Sequence, residues 1–343
     1  MRNKMEMITR EIIEKREHEI LSEYAMKADQ SRGRRMEEEQ CSFRTVFQRD
    51  RDRIIHSKSF RRLMHKTQVF LAPEGDHFRT RLTHTIEVSQ IARTIARGCG
   101  LNEDLTEAIA MGHDLGHTPF GHSGETVLNQ IYSRGFRHNE QSLRIVDVLE
   151  SGGSNRRGLN LTEEVRDGIL HHTGPELPFT LEGQVVKISD RIAYINHDID
   201  DAIRSGVITV EDLPEESLEI LGRTHKQRID ALVSDMIEHT YGRPEARLSD
   251  EKYRVMDELR SFMFRNVYHS QLVKRAENVA SSRVIVTSLF EYYLGHPEEL
   301  PEELRAMSDE YDTEELVKDH VASMTDRYAM NLYNELFIAK GWR

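Results

Sequence analysis

Apolar residues along this chain recur at spacings of three and four among charges, and no segment alternates with the period of two that marks a half-buried strand. Ile8, Ile12, Ile20 and Tyr24 fall at multiples of four and predict an amphipathic helix over 4–29, followed by a charged loop over 31–40. Leu82, Ile86, Ile91 and Ile95 predict a helix over 82–97, with Gly98 and Gly100 as its stop. Asn102 is placed to cap the next helix, whose first turn carries Glu103 and Asp104 where the helix dipole favours acids. Helices are also predicted over 184–204, 223–240, 250–270, 277–294 and 314–337. Breaks are expected at the SGGSNRRG loop, 151–158, and at the Pro/Glu-rich piece 296–303. The first is too short to separate domains, so the pattern implies an all-α fold. There is no internal repeat and no glycine-rich phosphate loop of the GxGxxG or GxxxxGKS/T kind.

The helix over 184–204 has the clearest internal pattern. Ile188, Ile192, Ile195, Ile199 and Ile203 form one stripe that must face the core. The opposite face carries Asp190, Tyr194, His197, Asp198 and Asp201, which reads as the wall of a polar pocket. The alternative is a solvent-facing acidic stripe.

Composition narrows the classes. The 343 residues are 38% hydrophobic and 31% charged, as suits a soluble globular protein. The charged N-terminal stretch is no signal peptide, and no apolar run reaches the length of a membrane span. Cys41 and Cys99 are the two cysteines, which excludes a disulfide framework and a thiolate zinc site and points to a cytoplasmic setting. A net charge of −12 argues against a general nucleic-acid coat. Charge is nonetheless uneven: residues 32–66 hold eleven Lys/Arg against five Asp/Glu, whereas 298–316 hold nine acids and only Arg305. The basic segment suggests a local anionic ligand, the alternative being a self-paired helix face.

Candidate chemistry concentrates in GHDLGHTPFGHSGE, residues 112–125. His113 and Asp114 close an apolar helix where Gly116 and Pro119 force a turn, and neighbouring side chains there can grip one ion. His84 begins an earlier helix and Asp190 lies on a later one. Two imidazoles and two carboxylates form a mixed set that suits manganese, iron, cobalt, nickel or zinc better than calcium. His117, His122 and Glu125 follow the turn, with Glu125 one helical turn on from His122. The His171–His172 pair has no neighbouring carboxylate in sequence and is a weak second metal candidate.

These residues stand in an ordered series. RTVFQRDRDRIIHSKSFRRLMHKTQVF (44–70), FRTRLTHTIEVSQIAR (78–93), GHDLGHTPFGHSGE (112–125), FRHNEQSLR (136–144) and SDRIAYINHDIDDA (189–202) resemble, in order, the motifs of the HD-domain phosphohydrolase superfamily. Within it they resemble the deoxyguanosine-triphosphate triphosphohydrolase (dGTPase) family, in its short-chain bacterial branch. SMTDRYAMNLYNELF (323–337) is similar to the family's C-terminal helix.

The resemblance implies an HD-type helical fold with extra N- and C-terminal helices. It places an N-terminal arm at 1–40, a metal-dependent catalytic core at 41–205 and a C-terminal helical region at 206–343. It implies hydrolysis of deoxynucleoside triphosphates to the deoxynucleoside and tripolyphosphate, with the base preference open. It assigns His84, His113, Asp114 and Asp190 to one divalent metal ion per subunit, Mn or Mg in activity, with Ni, Fe, Co and Zn as alternatives. His122, Glu125 and His117 fall at catalytic positions. Gln68, Arg81, His138, Arg191, Tyr194 and Asp198 fall at positions that contact phosphate and sugar, Tyr194 packing under the sugar. A dimer-based or hexameric homo-oligomer, with a deoxynucleotide also acting as activator, is expected by resemblance. The competing expectations are another HD phosphohydrolase, such as a nucleotidase or phosphodiesterase, and a nucleotide sensor or single-stranded nucleic-acid binder without turnover.

Overall fold

Short polar side chains set most helix starts. The computed structural model describes residues 7–68, 79–151, 157–268 and 276–338. Among them no strand occurs, and the helices in chain order are α1 (Arg10–Ile20), α2 (Val46–Ile55), α3 (Lys58–Arg62), α4 (Arg81–Cys99), α5 (Glu103–Gly112) and α6 (Gly121–Ile131). They continue with α7 (His138–Arg144), α8 (Glu163–His171), α9 (Leu181–Arg204), α10 (Glu215–Leu221) and α11 (His225–Thr240). The last are α12 (Asp250–Met263), α13 (Ala276–Gly295), α14 (Glu302–Arg305), α15 (Thr313–Ser323) and α16 (Asp326–Phe337). The side chains of Thr45, Thr80, Asn102, Thr180, Thr224 and Ser249 accept from the first turns of α2, α4, α5, α9, α11 and α12, satisfying donors with no partner inside the helix.

Two apolar clusters hold these helices. The larger joins α2, α4, α5, α8 and α9 through Ile54, Ile91, Ile95, Leu105, Ile109, Val165, Ile192 and Ile195, with α11 and α12 added through Leu232, Met236, Val255 and Leu259. The second joins Phe120, Val127 and Leu128 of the α6 region to Leu289 and Phe290 of α13, Val317 and Val321 of α15 and Ala329 of α16. α6 thus belongs by packing with the C-terminal helices, although the chain enters it straight from the motif-bearing turn.

Several expectations need correction. The first helix covers Arg10–Ile20, not 4–29, and its predicted stripe is outward: Ile8 is 50% and Ile20 is 72% exposed. Its buried residues are Glu14, paired with Arg10 Nη1 at 2.6 Å, and Glu17, which accepts from a backbone donor in the following turn. The segment 314–337 is two helices, since the chain is extended at Met324 and Thr325, and Thr325 caps α16. The segment 250–270 ends its α-helix at Met263 and continues as one π-helical turn to Tyr268; 269 and 270 lie outside the described residues. Of the 151–158 loop, 152–156 also lie outside them. α9 is buried on both faces, because His197, Asp198 and Asp201 are as enclosed as Ile192 and Ile195.

The basic segment 32–66 is largely paired internally. Glu38 meets Arg34, Arg49 and Arg53, Asp50 meets Arg34, and Arg51 reaches Asp104 and Glu107 of α5. Here the self-paired alternative describes the arginines better than an anionic ligand does.

α1 is bound to the core through two acids. Glu17 accepts from Ala28 N at 2.7 Å and Asn102 Nδ2 at 3.1 Å; Glu182 accepts from Met26 N and Asn102 N, both at 3.0 Å. Burial pushes both carboxyls up, to about 7 from 4.5. An acid raised on folding stabilises the fold below its unfolded value, and that stability is lost as pH climbs to the folded value. Here the window runs from 4.5 to about 7. Glu182→Gln keeps one acceptor oxygen and cannot ionise. At pH 8 the variant is expected to be more stable than the parent by on the order of 3 kcal/mol, with little gain at pH 5. Thermal melts at the two pH values check this; an equal difference at both contradicts it.

Candidate active site

α4, α5 and α9 cross so that the first turn of α4, the end of α5 and the middle of α9 meet. α5 stops at Gly112, and the chain then passes α7 so closely that a Cβ on Gly116 would lie 2.2 Å from Ser142 N. Ser142 Oγ accepts from Gly116 N and donates to His113 O, both at 2.8 Å, fixing the turn. His84 Nε2 lies 3.0 Å from Asp190 Oδ1 and 4.0 Å from Asp114 Oδ2. His113 Nε2 lies 3.5 Å from Asp114 Oδ1 and 3.8 Å from Asp190 Oδ1. The four expected metal ligands therefore converge.

The donor set fits a cation. His113 Nδ1 donates to Ala110 O at 2.7 Å, which leaves Nε2 a bare lone pair. That Nε2 is buried without a hydrogen-bond partner, facing two carboxylates. Burial acts to raise Asp114 and Asp190, but His113, His117 and Arg81 at Asp114, and His84 and His113 at Asp190, hold both well below the usual carboxylate range. Ionised acids and the bare His113 nitrogen in a mixed N/O cluster suit a divalent ion.

Arg81 is 1% exposed, and its Nη1 donates to Asp114 Oδ2 at 2.9 Å. It braces an acid of the cluster.

Beside the cluster stand His117, His122 and His138. His117 Nε2 lies 3.1 Å from Asp114 Oδ1, and an ionised carboxylate only accepts, so Nε2 carries the hydrogen. Burial, Arg81 and His138 push His117 well below the ordinary histidine value, so it is neutral. Its ring stacks on His138 at 4.0 Å between centroids. Glu125 Oε1 accepts from His138 N at 2.9 Å and lies 2.8 Å from His138 Nδ1, while Oε2 is 3.4 Å from His122 Nδ1. Glu125 is thus shared, and its shorter contacts go to His138. Burial acts to raise Glu125, and His122 and His138 outweigh it, holding it ionised; burial acts to lower His138, and Glu125 raises it. His122, with a 69% exposed side chain, is the open member.

Further along α9, Tyr194 is hydrogen-bonded by Arg260 of α12, and Arg191 Nη1 lies 3.4 Å from Tyr253 Oη. Asp198 is buried, and burial pushes its carboxyl up to about 7 while Tyr268 Oη donates to it. Gln68 is buried too, and its Oε1 has no hydrogen-bond partner. A cavity of about 700 Å³ lies elsewhere, between α3, α15 and Tyr328, and contains none of these groups; chemistry, not volume, marks the site.

Residues 81–195 match the HD domain, and 246–335 match the phosphohydrolase-associated domain. The chain is 57% identical to a deoxyguanosinetriphosphate triphosphohydrolase-like protein of Caldanaerobacter subterraneus subsp. tengcongensis, covering 98% of each. The chain belongs to the deoxyguanosinetriphosphate triphosphohydrolase-like family. Relatives of the same name in Desulfatibacillum aliphaticivorans and Clostridium tetani are each 47% identical, over 96% and 92% of this chain and 98% and 92% of theirs.

Further side chains adjoin the cluster from neighbouring elements, among them His172, expected above only as a weak metal candidate. His172 lies with its ring centroid 5.0 Å from that of His113 and its Nε2 3.2 Å from His138 Nε2. Burial, with His113 and His138, pushes it down to about 3. His171 does have carboxylates nearby, Asp167 at 2.7 Å and Glu176 at 3.0 Å, so the expected absence of an acidic neighbour is corrected. Asp167, four residues back on α8, was the available signal. Arg260 and Tyr268 gave none, since only the docking of α12 onto α9 brings them in.

Proposed function

We propose that this chain hydrolyses deoxynucleoside triphosphates to deoxynucleoside and tripolyphosphate with one divalent metal ion per chain. The carrying observation is the bare, buried Nε2 of His113 among His84, Asp114 and Asp190, directly beside the His122–Glu125–His138 group. The names of the relatives support a triphosphate substrate.

His84, His113, Asp114 and Asp190 would hold the ion, which when bound supplies Lewis-acid neutralisation of phosphate charge. Manganese or magnesium suits the reaction, and nickel, iron, cobalt or zinc suits the donors equally. Water adds to the α-phosphorus, the bond from phosphorus to O5′ breaks, and O5′ takes a proton. His122 is the proton donor in this reading: His117 is neutral with its hydrogen held by Asp114, and His138 is committed to Glu125. Glu125 fixes the orientation of both His122 and His138. His117, His138 and Arg191 would meet phosphate oxygens. Gln68, with its unpartnered oxygen, and Asp198, with Tyr268 behind it, would bind the sugar 3′-hydroxyl, and Tyr194 would pack under the deoxyribose. Residues 41–205 would form the catalytic core between the arm at 1–40 and the region 206–343, acting as a cytoplasmic homo-oligomer. No helix among the described residues is long and apolar enough to cross a membrane.

Incubation of the purified protein with each dNTP, singly and mixed, and Mn²⁺ is expected to release deoxynucleoside and tripolyphosphate. Release of pyrophosphate or orthophosphate instead overturns the reaction assigned. The mixed arm separates a missing activator from a missing activity.

A further inference from the structure

The chain between the metal cluster and His122 makes an unusual turn. Phe120 and Gly121 both lie in the left-handed region, at φ 63° and 57°, and for a residue with a Cβ this costs of order 1 kcal/mol. Phe120 is the N-cap of α6 and supplies no side-chain cap; locally, Thr118 Oγ1 donates to Gly121 O at 3.0 Å. The turn's own backbone donor is held from 206 residues further on. Phe120 N donates to Asp326 Oδ1 at 2.9 Å, while Asp326 Oδ2 accepts from Thr67 N at 3.0 Å and Thr67 Oγ1 at 2.7 Å. Asp326 is buried at the first position of α16, so these three donors stand in for much of the water its carboxylate would otherwise have. The second strap is Lys66, also buried, whose Nζ donates to His117 O and, at 3.0 Å, to Ala322 O at the end of α15. The turn is packed onto the same stretch of chain: a Cβ on Gly121 would lie 2.8 Å from Gln68 O.

We propose that Asp326 is a positioning residue for the hydrolytic reaction. Its one carboxylate fixes the start of α6, and with it His122, against the backbone that presents Gln68. Its hydrogen bonds go to Thr67 and Phe120 and not to the residues of the metal cluster. The proposal rests on the function above in taking His122 as the proton donor; the clamp itself does not.

Asp326→Asn keeps the shape but replaces one acceptor oxygen by an amide, so Phe120 N or Thr67 loses its partner. In metal-loaded protein, kcat for the preferred dNTP is expected to fall about 10- to 100-fold, the cost of a misplaced catalytic group. The pH profile of kcat is expected to move, with metal content unchanged. Amide hydrogen exchange across 119–123 is expected to quicken at least about tenfold while α4 and α9 stay protected. Thr67→Val removes one of the three bonds, leaves Phe120 held, and is expected to stay within about threefold of the parent in kcat. Unchanged exchange at 119–123 sinks the clamp. Faster exchange with an unaltered kcat and pH profile sinks the positioning role, because a purely structural residue would lower only Tm. If the parent protein releases no tripolyphosphate from any dNTP, the reaction assignment fails by itself, and the exchange result still decides the clamp.

Discussion

His113→Ala is expected to yield a folded protein that holds almost no metal and turns over no dNTP. The imidazole reaches one protein acceptor, Ala110 O, through Nδ1, and its Nε2 has no partner to leave behind. Its loss therefore costs the fold a cavity and one hydrogen bond, whereas the ion loses a ligand that the protein presents ready-oriented. Even second-layer changes at metal sites cost ~10–100-fold in affinity, so loss of a ligand should exceed that. Asp114→Ala should behave differently. It also removes a ligand, but it leaves the Arg81 guanidinium buried with its 2.9 Å carboxylate gone. Breaking a buried pair from one side costs about 3–5 kcal/mol, so this variant should melt well below the parent as well as being inactive. Metal analysis together with thermal melts separates the two. Equal Tm losses in both variants would contradict the assignment of Arg81 as a brace.

His122→Ala is expected to lower kcat by about 10²–10⁴-fold, the usual worth of a general acid or base, with metal content and Tm unchanged. The side chain is 69% exposed, its contact with Glu125 is long at 3.4 Å, and it otherwise meets the His117 ring edge-on at 5.6 Å, so little stability depends on it. Glu125→Ala should cost both activity and stability, because Glu125 also holds His138 through its backbone N and its ring. His117→Ala serves as the contrast: if it alone removes the alkaline limb of the kcat profile and His122→Ala does not, the proton donor has been assigned to the wrong histidine.

How much of this was legible in the sequence depends on how local each cause is. The start of α5 was readable because its cap, Asn102, lies directly before the apolar pattern. α4 begins at Arg81 against an expected 82, and α9 at Leu181 against an expected 184, each capped by a threonine that the apolar spacing does not mark. The extent of α1 was not, because Glu17 and Glu182 are buried by contacts with Asn102 and with the 22–30 turn, which no periodicity records. The split between α15 and α16 lacks a glycine or proline; its only local sign is a threonine followed by an aspartate, a capping pattern easily absorbed into one long helix. The metal set was legible because its residues come in an ordered series that resembles a known family, and the fold brings those four together. The contacts of His172, Arg260, Tyr268 and Asp326 were not, since each reaches a neighbour more than thirty residues away through the docking of one helix on another.

α9 carries Asp190, Tyr194 and Asp198 at intervals of four residues on one stiff rod. The rise between Asp190 and Asp198 is ~12 Å, set by eight helical residues at 1.5 Å each. A straight helix neither stretches nor shortens, so the rod works as a ruler. In the function proposed above, one end would read where phosphate charge is gathered, and the other where a hydroxyl must arrive. A molecule too short would reach one mark, and one too long would overshoot the second. Selection by length would then be built into the backbone before any side chain has judged the base.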